Sequence, residues 1–380
     1  MASSTDWARS VGTSIINYLK QEELNTFRKF KVFAALEGSG NVVMNQGGLG
    51  LKWEVRYRNQ PVSGSDGQTP RVFSRQNLWV GAELPYRGYQ VTDSLYKKEM
   101  LENRGQQALV NVAGNMATRL KESMEQHLAK EIWIDGNAAG NELRFHGIES
   151  MMAINGSVNI STGAQRAANA LDPFGFPADV YAGVNTGLGA VAGSQIEGTW
   201  PNGSADPEYD FYSPIVVNYN SSYFKGKNAA NTDSFIWADQ CVQATREGII
   251  QAKRNDTKES QIDMVIMDRK MYIEYLNKLD SKERAIISRT NGLKSYGFSD
   301  VFEQDGVEIS TEYAVPAGVG YGLSIGNMEL RCMEGSLMTS EGPFYNEDLA
   351  SYRYVVSVLA NLKFRSPRNF FKLQAITAPV

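Results

Sequence analysis

The feature that most constrains this fold is an alternating ribbon that leads directly into a long helical segment, within residues 49–132. From Leu51 to Arg58, apolar and charged residues alternate, the period of two that is typical of a half-buried strand. Turn-forming residues occupy 59–70, and a second extended segment follows from 71 to about 84. A projecting ribbon joined to a rod is poorly suited to a catalytic pocket. It is well suited to gripping a neighbouring copy of the same chain.

The rod is predicted to be one helix that runs from Asp93 as N-cap to Ile132. Apolar residues recur at every fourth position in its second half, which is a strong helical signal: Val112, Met116, Leu120, Met124, Leu128 and Ile132. Because four residues overshoot a helical turn by about 40°, this stripe winds slowly around the rod. We therefore expect the helix to contact more than one packing surface.

Chain length predicts more than one hydrophobic core. At 380 residues the chain exceeds what one core usually supports, so we expect two subdomains or one domain with large excursions. No apolar run approaches the roughly 20 residues of a membrane span, and residues 1–10 lack an apolar signal-peptide core. Membrane insertion and secretion are therefore not expected. Cys241 and Cys332 are predicted to be small buried thiols and not a disulfide.

The second half of the chain predicts mixed α+β structure without tandem repeats. Residues 136–235 are glycine-rich and sparsely charged, which is typical of an irregular, loop-rich insertion. Helices are predicted near 233–253 and 269–279, on either side of a buried strand at 262–267. Further strands are predicted at 307–309, 322–325 and 328–333, and within the final segment 352–376.

Patterns typical of catalytic or metal sites are missing from the sequence. His127 lies in the helical rod without HExxH spacing and His146 lies in a loop, so structural or exposed histidines are favoured over ligands. Gly187-Leu188-Gly189 lacks the strand–glycine–helix context of a dinucleotide site. An acidic cluster at 206–210 could bind a hard cation, but a solvated loop is favoured. We predict no catalytic residue, no cofactor and no metal; an enzyme using the aromatic loop around Tyr209 is the competing hypothesis from another class.

The distribution of charge along the chain is more informative than its net charge. The net charge of −4 argues against tight, specific binding of nucleic acid. Residues 349–380, however, contain no acid and five bases: Arg353, Lys363, Arg365, Arg368 and Lys372. This bias is compatible with a surface that faces a polyanion, although solvated strand edges are the commoner explanation.

Several short motifs occur in a definite order. They are Leu84-Pro-Tyr-Arg-Gly-Tyr89 before the rod, Asp263-Met-Val-Ile-Met-Asp268, Tyr296-Gly-Phe298, Gly306-Val-Glu-Ile309, Val315-Pro-Ala-Gly318 and Leu362-Lys-Phe-Arg-Ser-Pro-Arg368. Their order across about 350 residues resembles the major capsid proteins of tailed bacteriophages, which have the Hong Kong 97-type fold.

The resemblance implies an α+β capsid fold with a projecting β-hairpin, a peripheral domain and an axial domain. The implied regions are an N-terminal arm at 1–30, an extended loop at 31–92, a peripheral-domain spine helix at 93–140, an axial domain at 141–345 with a loop-rich insertion at 141–235, and C-terminal strands of the peripheral domain at 346–380.

The implied function is structural and not enzymatic. Copies of the chain would form the hexamers and pentamers of an icosahedral shell, assembled in the host cytoplasm and enclosing double-stranded DNA that is contacted non-specifically. A portal protein and a candidate decoration protein are implied partners. Because at most about 30 residues precede the fold, a separate scaffolding protein, or none, is also implied. An encapsulin-like nanocompartment is the alternative in the same fold; the long insertion favours the phage, since such shells are generally shorter.

Two sets of site residues follow from the resemblance. Residues at the tip of the extended loop would contact a neighbouring subunit: Asn59, Gln60, Pro61, Val62, Gln68 and Arg71. Basic residues near the C-terminus would face the genome: Lys363, Arg365, Arg368 and Lys372. Some family members crosslink covalently through a lysine in the loop. No lysine lies between Lys52 and Lys97, so we predict non-covalent locking of the shell.

Overall fold

The computed structural model describes residues 30–56, 64, 73, 79–98, 106–152, 174–175, 177, 180–186, 212–228, 230–253, 261–280 and 301–375. Within them lie four α-helices: α1 (Lys31–Gly38), α2 (Gln106–Glu131), α3 (Trp237–Ala252) and α4 (Arg269–Asp280). The strands of the first half are β1 (Val42–Gln46), β2 (Gly50–Arg56), β3 (Trp79–Pro85), β4 (Arg87–Tyr96), β5 (Phe174–Gly175), β6 (Val180–Tyr181), β7 (Val184–Asn185) and β8 (Ile215–Asn218). Those of the second half are β9 (Met264–Met267), β10 (Phe302–Gln304), β11 (Val307–Thr311), β12 (Val319–Leu323), β13 (Met328–Met333), β14 (Thr339–Asn346), β15 (Ser351–Phe364) and β16 (Phe371–Gln374).

The first sheet is built around β15, its longest strand. On one side β15 pairs with β14 and then with β13, which pairs in parallel with β1; on the other side it pairs with β4. Alternate residues of β15 point into the core, namely Tyr354, Val356, Val358 and Ala360. The pattern of β-branched residues therefore orients this sheet as expected for a half-buried strand.

Helix α2 contacts β4, one of the edge strands of this sheet. The predicted stripe is buried where its side chains are described, at Met116, Leu120, Met124, Leu128 and Ile132. The predicted start at Asp93 is wrong, because residues 87–96 form strand β4 and pair with β15 over ten positions. Aromatic and β-branched residues favour a strand here, and the distant pairing stabilises it over a helix.

The second sheet has the order β10-β11-β9-β12-β16-β8-β5. Helices α3 and α4 contribute to a core with one of its faces, around Val265, Met267, Phe371 and Leu373. The predicted helices and the buried strand lie where the structure has α3, α4 and β9. The strand predicted at 322–325 is instead 319–323, because its glycines hide the apolar alternation that marks a strand.

Sheet membership does not follow the expected regions. Helix α1 contacts the first sheet, and β1 is one of its strands, although both were expected within the extended loop. Strands β13 and β14 also belong to the first sheet, although the axial domain was expected to extend to residue 345. Strand β16 pairs with β12 and β8 of the second sheet, whereas 346–380 was expected to return to the peripheral domain.

Polar contacts connect the second sheet to α1 and to the segment that follows α2. Lys372 on β16 forms an ion pair with Glu149, which also accepts a hydrogen bond of 2.6 Å from the Tyr321 hydroxyl on β12. Trp133, just after α2, stacks on the Tyr321 ring at a centroid distance of 5.4 Å. Nearby, Lys31 at the start of α1 donates to the Ser310 hydroxyl on β11 at 2.7 Å. The paired charges offset the desolvation cost of burial and connect α1 and the end of α2 to the second sheet.

Candidate functional site

The described part of the ribbon is a regular antiparallel pair. Strands β2 and β3 pair from Gly50 opposite Pro85 to Arg56 opposite Trp79, with no shift in register. Charged side chains lie on its exposed face, where Lys52 forms a 3.1 Å ion pair with Glu83. Both ions are well exposed, so this pair contributes little to stability. The predicted alternation of a half-buried strand is confirmed over Leu51 to Arg56.

The opposite face of the ribbon packs on the body of the same subunit. Leu51, Ala82 and Leu84 are buried in the core that contains the first sheet. The backbone N–H of Glu83 donates to the carbonyl of Ala182 at 3.0 Å, which ties β3 to the β6–β7 hairpin. The base of the ribbon is therefore fixed by apolar burial and by a backbone hydrogen bond.

A cationic contact adds to this anchorage. The Lys363 ammonium lies 5.0 Å from the centroid of the Trp53 ring, within the range of a cation–π interaction. The Trp53 ring is also 6.2 Å from the ring of Tyr181. Lys363 thus supports the ribbon, a role that the sequence did not indicate. Burial lowers the pKa of its ammonium, although the nearby Glu329 carboxylate opposes the change.

Helix α2 is joined to β4 by a buried polar network. Glu131 at the end of α2 is fully buried and accepts hydrogen bonds from Tyr89 on β4 and from Arg144, whose Nε is 3.1 Å away. The Tyr89 hydroxyl in turn accepts the N–H of Phe145 at 2.7 Å. Burial and the Glu131 carboxylate raise the pKa of Tyr89 well above its usual value, so this hydroxyl stays a donor. The network fixes the strand that leaves the ribbon against the helix.

The two histidines and two cysteines have structural surroundings. His127 packs edge-on against the Tyr89 ring at 4.6 Å, and its Nε2 lies 3.6 Å from Glu131. Cys241 and Cys332 are fully buried, and burial raises the pKa of their thiols to about 11 and about 12. The prediction of small buried thiols is confirmed. In the described part of the chain no group of three or more His, Cys, Asp or Glu could hold a metal ion.

The predicted inter-subunit residues of the ribbon tip lie outside the described residues. This applies to Asn59, Gln60, Pro61, Val62, Gln68 and Arg71. The described strands lead to this segment from Arg56 and leave it at Trp79, whose side chain is about half exposed. The assembly role of the tip therefore stays a prediction.

The predicted genome-facing residues divide into two groups. Lys372 is buried and paired with Glu149, so a polyanion cannot reach it, and this part of the prediction is wrong. Lys363 is also largely buried, 4.0 Å from Glu329. Arg365 pairs with Glu329 as well but keeps 56% of its side chain exposed, and Arg368 is partly exposed. Only the two arginines remain candidates for contact with DNA.

Glu329 is the residue that sequence reasoning missed. It is buried on β13 and accepts a 2.6 Å hydrogen bond from Arg331, in addition to its pairs with Lys363 and Arg365. One carboxylate thus offsets much of the positive charge at the end of β15. Lys363 is directly opposite Glu329 in the antiparallel register, but no local pattern in the sequence reveals this pairing.

Comparison with solved structures identifies the architecture. The structure superposes on a chain of the cyanophage A-1(L) capsid asymmetric unit with a TM-score of 0.54 and 13% identity, covering 92% of this chain and 94% of that one. This chain has a Hong Kong 97-type capsid fold. At this level of identity the likeness establishes the fold alone, and the expected α+β capsid fold is confirmed at that level.

Other capsid-fold structures match less closely. A capsid chain of the native GTA particle has a TM-score of 0.48 at 10% identity, and coverage is 90% of each chain. A virus-like particle from Pyrococcus furiosus has a TM-score of 0.41 at 9% identity, covering 97% of this chain and 99% of that one. No protein-family model and no curated protein matches the sequence. Among the described helices, none is long and apolar enough to cross a membrane.

Proposed function

We propose that this chain is the major capsid protein of a tailed bacteriophage and that its copies assemble into an icosahedral shell around double-stranded DNA. The observation that carries the proposal is the capsid fold over 92% of the chain, together with a two-stranded ribbon whose base is anchored in the core of its own subunit. An anchored ribbon can transmit force between subunits, whereas a loosely tethered one would cost more entropy on docking.

In this proposal the first sheet with α2 is the peripheral domain and the second sheet with α3 and α4 is the axial domain. Hexamers and pentamers form around the axial domains, and the ribbon is the extended loop that overlaps an adjacent subunit. The shell assembles in the host cytoplasm with a portal protein and a scaffolding protein, and a decoration protein is a further candidate partner. The support is the separation of the two sheets in the fold and the exposed, charged outer face of the ribbon.

DNA contact is proposed to be weak and non-specific. Arg353, Arg365 and Arg368 supply the remaining exposed charge of the basic C-terminal segment. The buried Glu329 and the partly exposed Glu149 offset Lys363 and Lys372, which leaves few cations of this segment for phosphate binding. A weakly charged inner surface suits a container that must later release its genome.

Electron microscopy of the purified protein tests the proposal directly. We expect closed icosahedral particles, alone or with a co-expressed scaffolding protein, and small discrete oligomers would contradict it. Nuclease-protected DNA in particles from infected cells would support the phage capsid. Protein cargo without DNA would favour the nanocompartment.

Deletion of Pro61–Thr69 tests the role of the ribbon. The subunit should fold, because the buried contacts of Leu51 and Leu84 lie outside the deletion, but shells should not form or should lose heat resistance. Deletion particles that match wild type in yield and heat resistance would show that the tip does not grip a neighbour. Boiled wild-type particles should run as monomers on denaturing gels, since a ladder of larger species would contradict non-covalent locking.

A further inference from the structure

Strand β4 forms an outer edge of the first sheet. In the described part of the chain it pairs only with β15, and the register is continuous from Arg87 opposite Ala360 to Tyr96 opposite Ser351. The N–H of Leu359 donates to the Ser336 carbonyl at 3.1 Å, on the side of β15 away from β4. Leu359 and its partner Gly88 are therefore a non-hydrogen-bonded pair.

Alternation extends this assignment along β4. The backbone groups of Gly88, Gln90 and Thr92 point off the sheet, whereas those of the residues between them bond to β15. One residue beyond the last pair, Tyr96 opposite Ser351, the N–H of Lys97 donates to the Ala350 carbonyl at 2.9 Å, which agrees with this alternation. The backbone groups of these three alternate residues thus form an edge that no strand covers in the described part of the chain.

This edge lacks the protection seen at the other long edge of the sheet. The outer strand β14 contains Pro343 and a register shift between Glu341 and Phe344, both of which oppose pairing with another chain. The stretch from Gly88 to Thr92 has no proline, no charge and no shift in register. None of these residues therefore opposes pairing of the β4 edge with an added strand.

The ribbon carries a matching edge. Because the N–H of Glu83 donates to Ala182, away from β2, Glu83 and its partner Lys52 form a non-hydrogen-bonded pair. The backbone groups of Gly50, Lys52 and Glu54 therefore point outward from β2. This edge spans five residues, as does the edge from Gly88 to Thr92.

We propose that β2 of one subunit pairs with β4 of a second copy, so that the ribbon extends the neighbour's first sheet from five strands to seven. Three outward-facing residues on each edge can exchange backbone hydrogen bonds. The neutral side chains of Gly88, Gln90 and Thr92 place no like charge opposite Lys52 and Glu54. The two edges are different surfaces, so the contact is head-to-tail and can close into rings. The inference rests on the proposed self-assembly and names the surface through which it occurs.

Gln90→Pro is the sharpest test. Proline removes an N–H that has no hydrogen-bond partner among the described residues of the subunit, and edge strands tolerate proline at such positions. The variant should keep the wild-type circular dichroism spectrum and melting temperature as an unassembled subunit, while its particle yield falls at least 10-fold. Gln90→Val, which keeps the N–H, should assemble as wild type. Normal particle yield from folded Gln90→Pro subunits would overturn the proposal.

Disulfide trapping identifies the partner strand. Gln90→Cys is combined with Lys52→Cys or with Glu54→Cys, since adjacent strands bring Cα atoms within disulfide range. The native Cys241 and Cys332 are buried and do not interfere. At least one pair should give a ladder of linked subunits on non-reducing gels of oxidised particles, and each single cysteine should give none.

The remaining outcomes separate the pairing from the proposed function. If both double-cysteine variants form particles in wild-type yield but neither gives a ladder, β2 does not fill the β4 edge. The pairing would then be wrong, while the shell function stands. A linked dimer from Gln90→Cys alone would indicate β4 against β4, which also overturns the pairing. Wild-type protein that forms no particles would refute the shell function itself.

Discussion

Protonation of His146 should make the folded subunit sensitive to mild acid. The side chain is 6% exposed, and neither ring nitrogen has a hydrogen-bond partner in the part of the chain that the structure describes. The ring lies 6.5 Å from that of Tyr181, edge to face. Burial, aided by the positive charge of Arg87, lowers the pKa of His146 from 6.5 to about 4. The folded state therefore holds this imidazole neutral at pH 5, while the unfolded chain protonates it.

The sign and size follow from proton linkage. Because the unfolded chain binds the proton below pH 6.5 and the folded chain only below about 4, stability is lost as the pH falls from 6.5 towards 4. At pH 5 the linkage amounts to about 2 kcal/mol relative to pH 8, from RT ln of the ratio of the two binding polynomials. The variant His146→Phe removes the titration and loses no side-chain hydrogen bond to a described residue.

The measurement is urea unfolding of unassembled subunits, followed by tryptophan fluorescence at pH 8 and pH 5. On acidification, wild type should lose about 2 kcal/mol more of its free energy of unfolding than His146→Phe. Other groups titrate in this range: burial raises the pKa of Glu312 to about 8, so its protonation favours the fold as the pH falls. Because Glu312 is present in both proteins, its effect cancels in the difference. Equal losses in the two proteins would refute the reasoning.

Two further predictions use matched substitutions. Gly322→Ala should destabilise the subunit by about 3 kcal/mol or abolish folding, because its Cβ would lie 2.0 Å from the Phe371 ring; Gly326→Ala, which meets nothing within 4 Å, should melt within a few degrees of wild type. Equal melting temperatures for the two variants would show that β12 and β16 can separate at no cost. Leu84→Ala should cost about 2–5 kcal/mol by urea unfolding, since Leu84 is buried under the ribbon, whereas Leu49→Ala at a fully exposed position should cost almost nothing. A negligible loss for Leu84→Ala would mean that the ribbon base is not held by apolar burial.

Local periodicity accounts for the elements that were predicted well. The alternation of apolar and charged residues places Leu51 and Val55 on the buried face of the ribbon. The apolar residues at every fourth position from Met116 to Ile132 form the buried stripe of α2. Each pattern reports the repeat of its own backbone, so no knowledge of distant residues is needed. The candidate genome-facing residues lacked this advantage, since exposure depends on what packs nearby.

The sequence by itself determined the ribbon, the rod, the α+β class and the order of segments that resembles a capsid protein, because each is encoded by residues close together in the chain. Only the tertiary structure decided that Asp93 lies in a strand, since that strand exists through pairing with β15 more than 250 residues away. It also decided that Lys372 is buried beside Glu149, 223 positions distant, and is not a cation for DNA. Charge is a property of the residue, but whether that charge is available depends on the partners that folding brings to it.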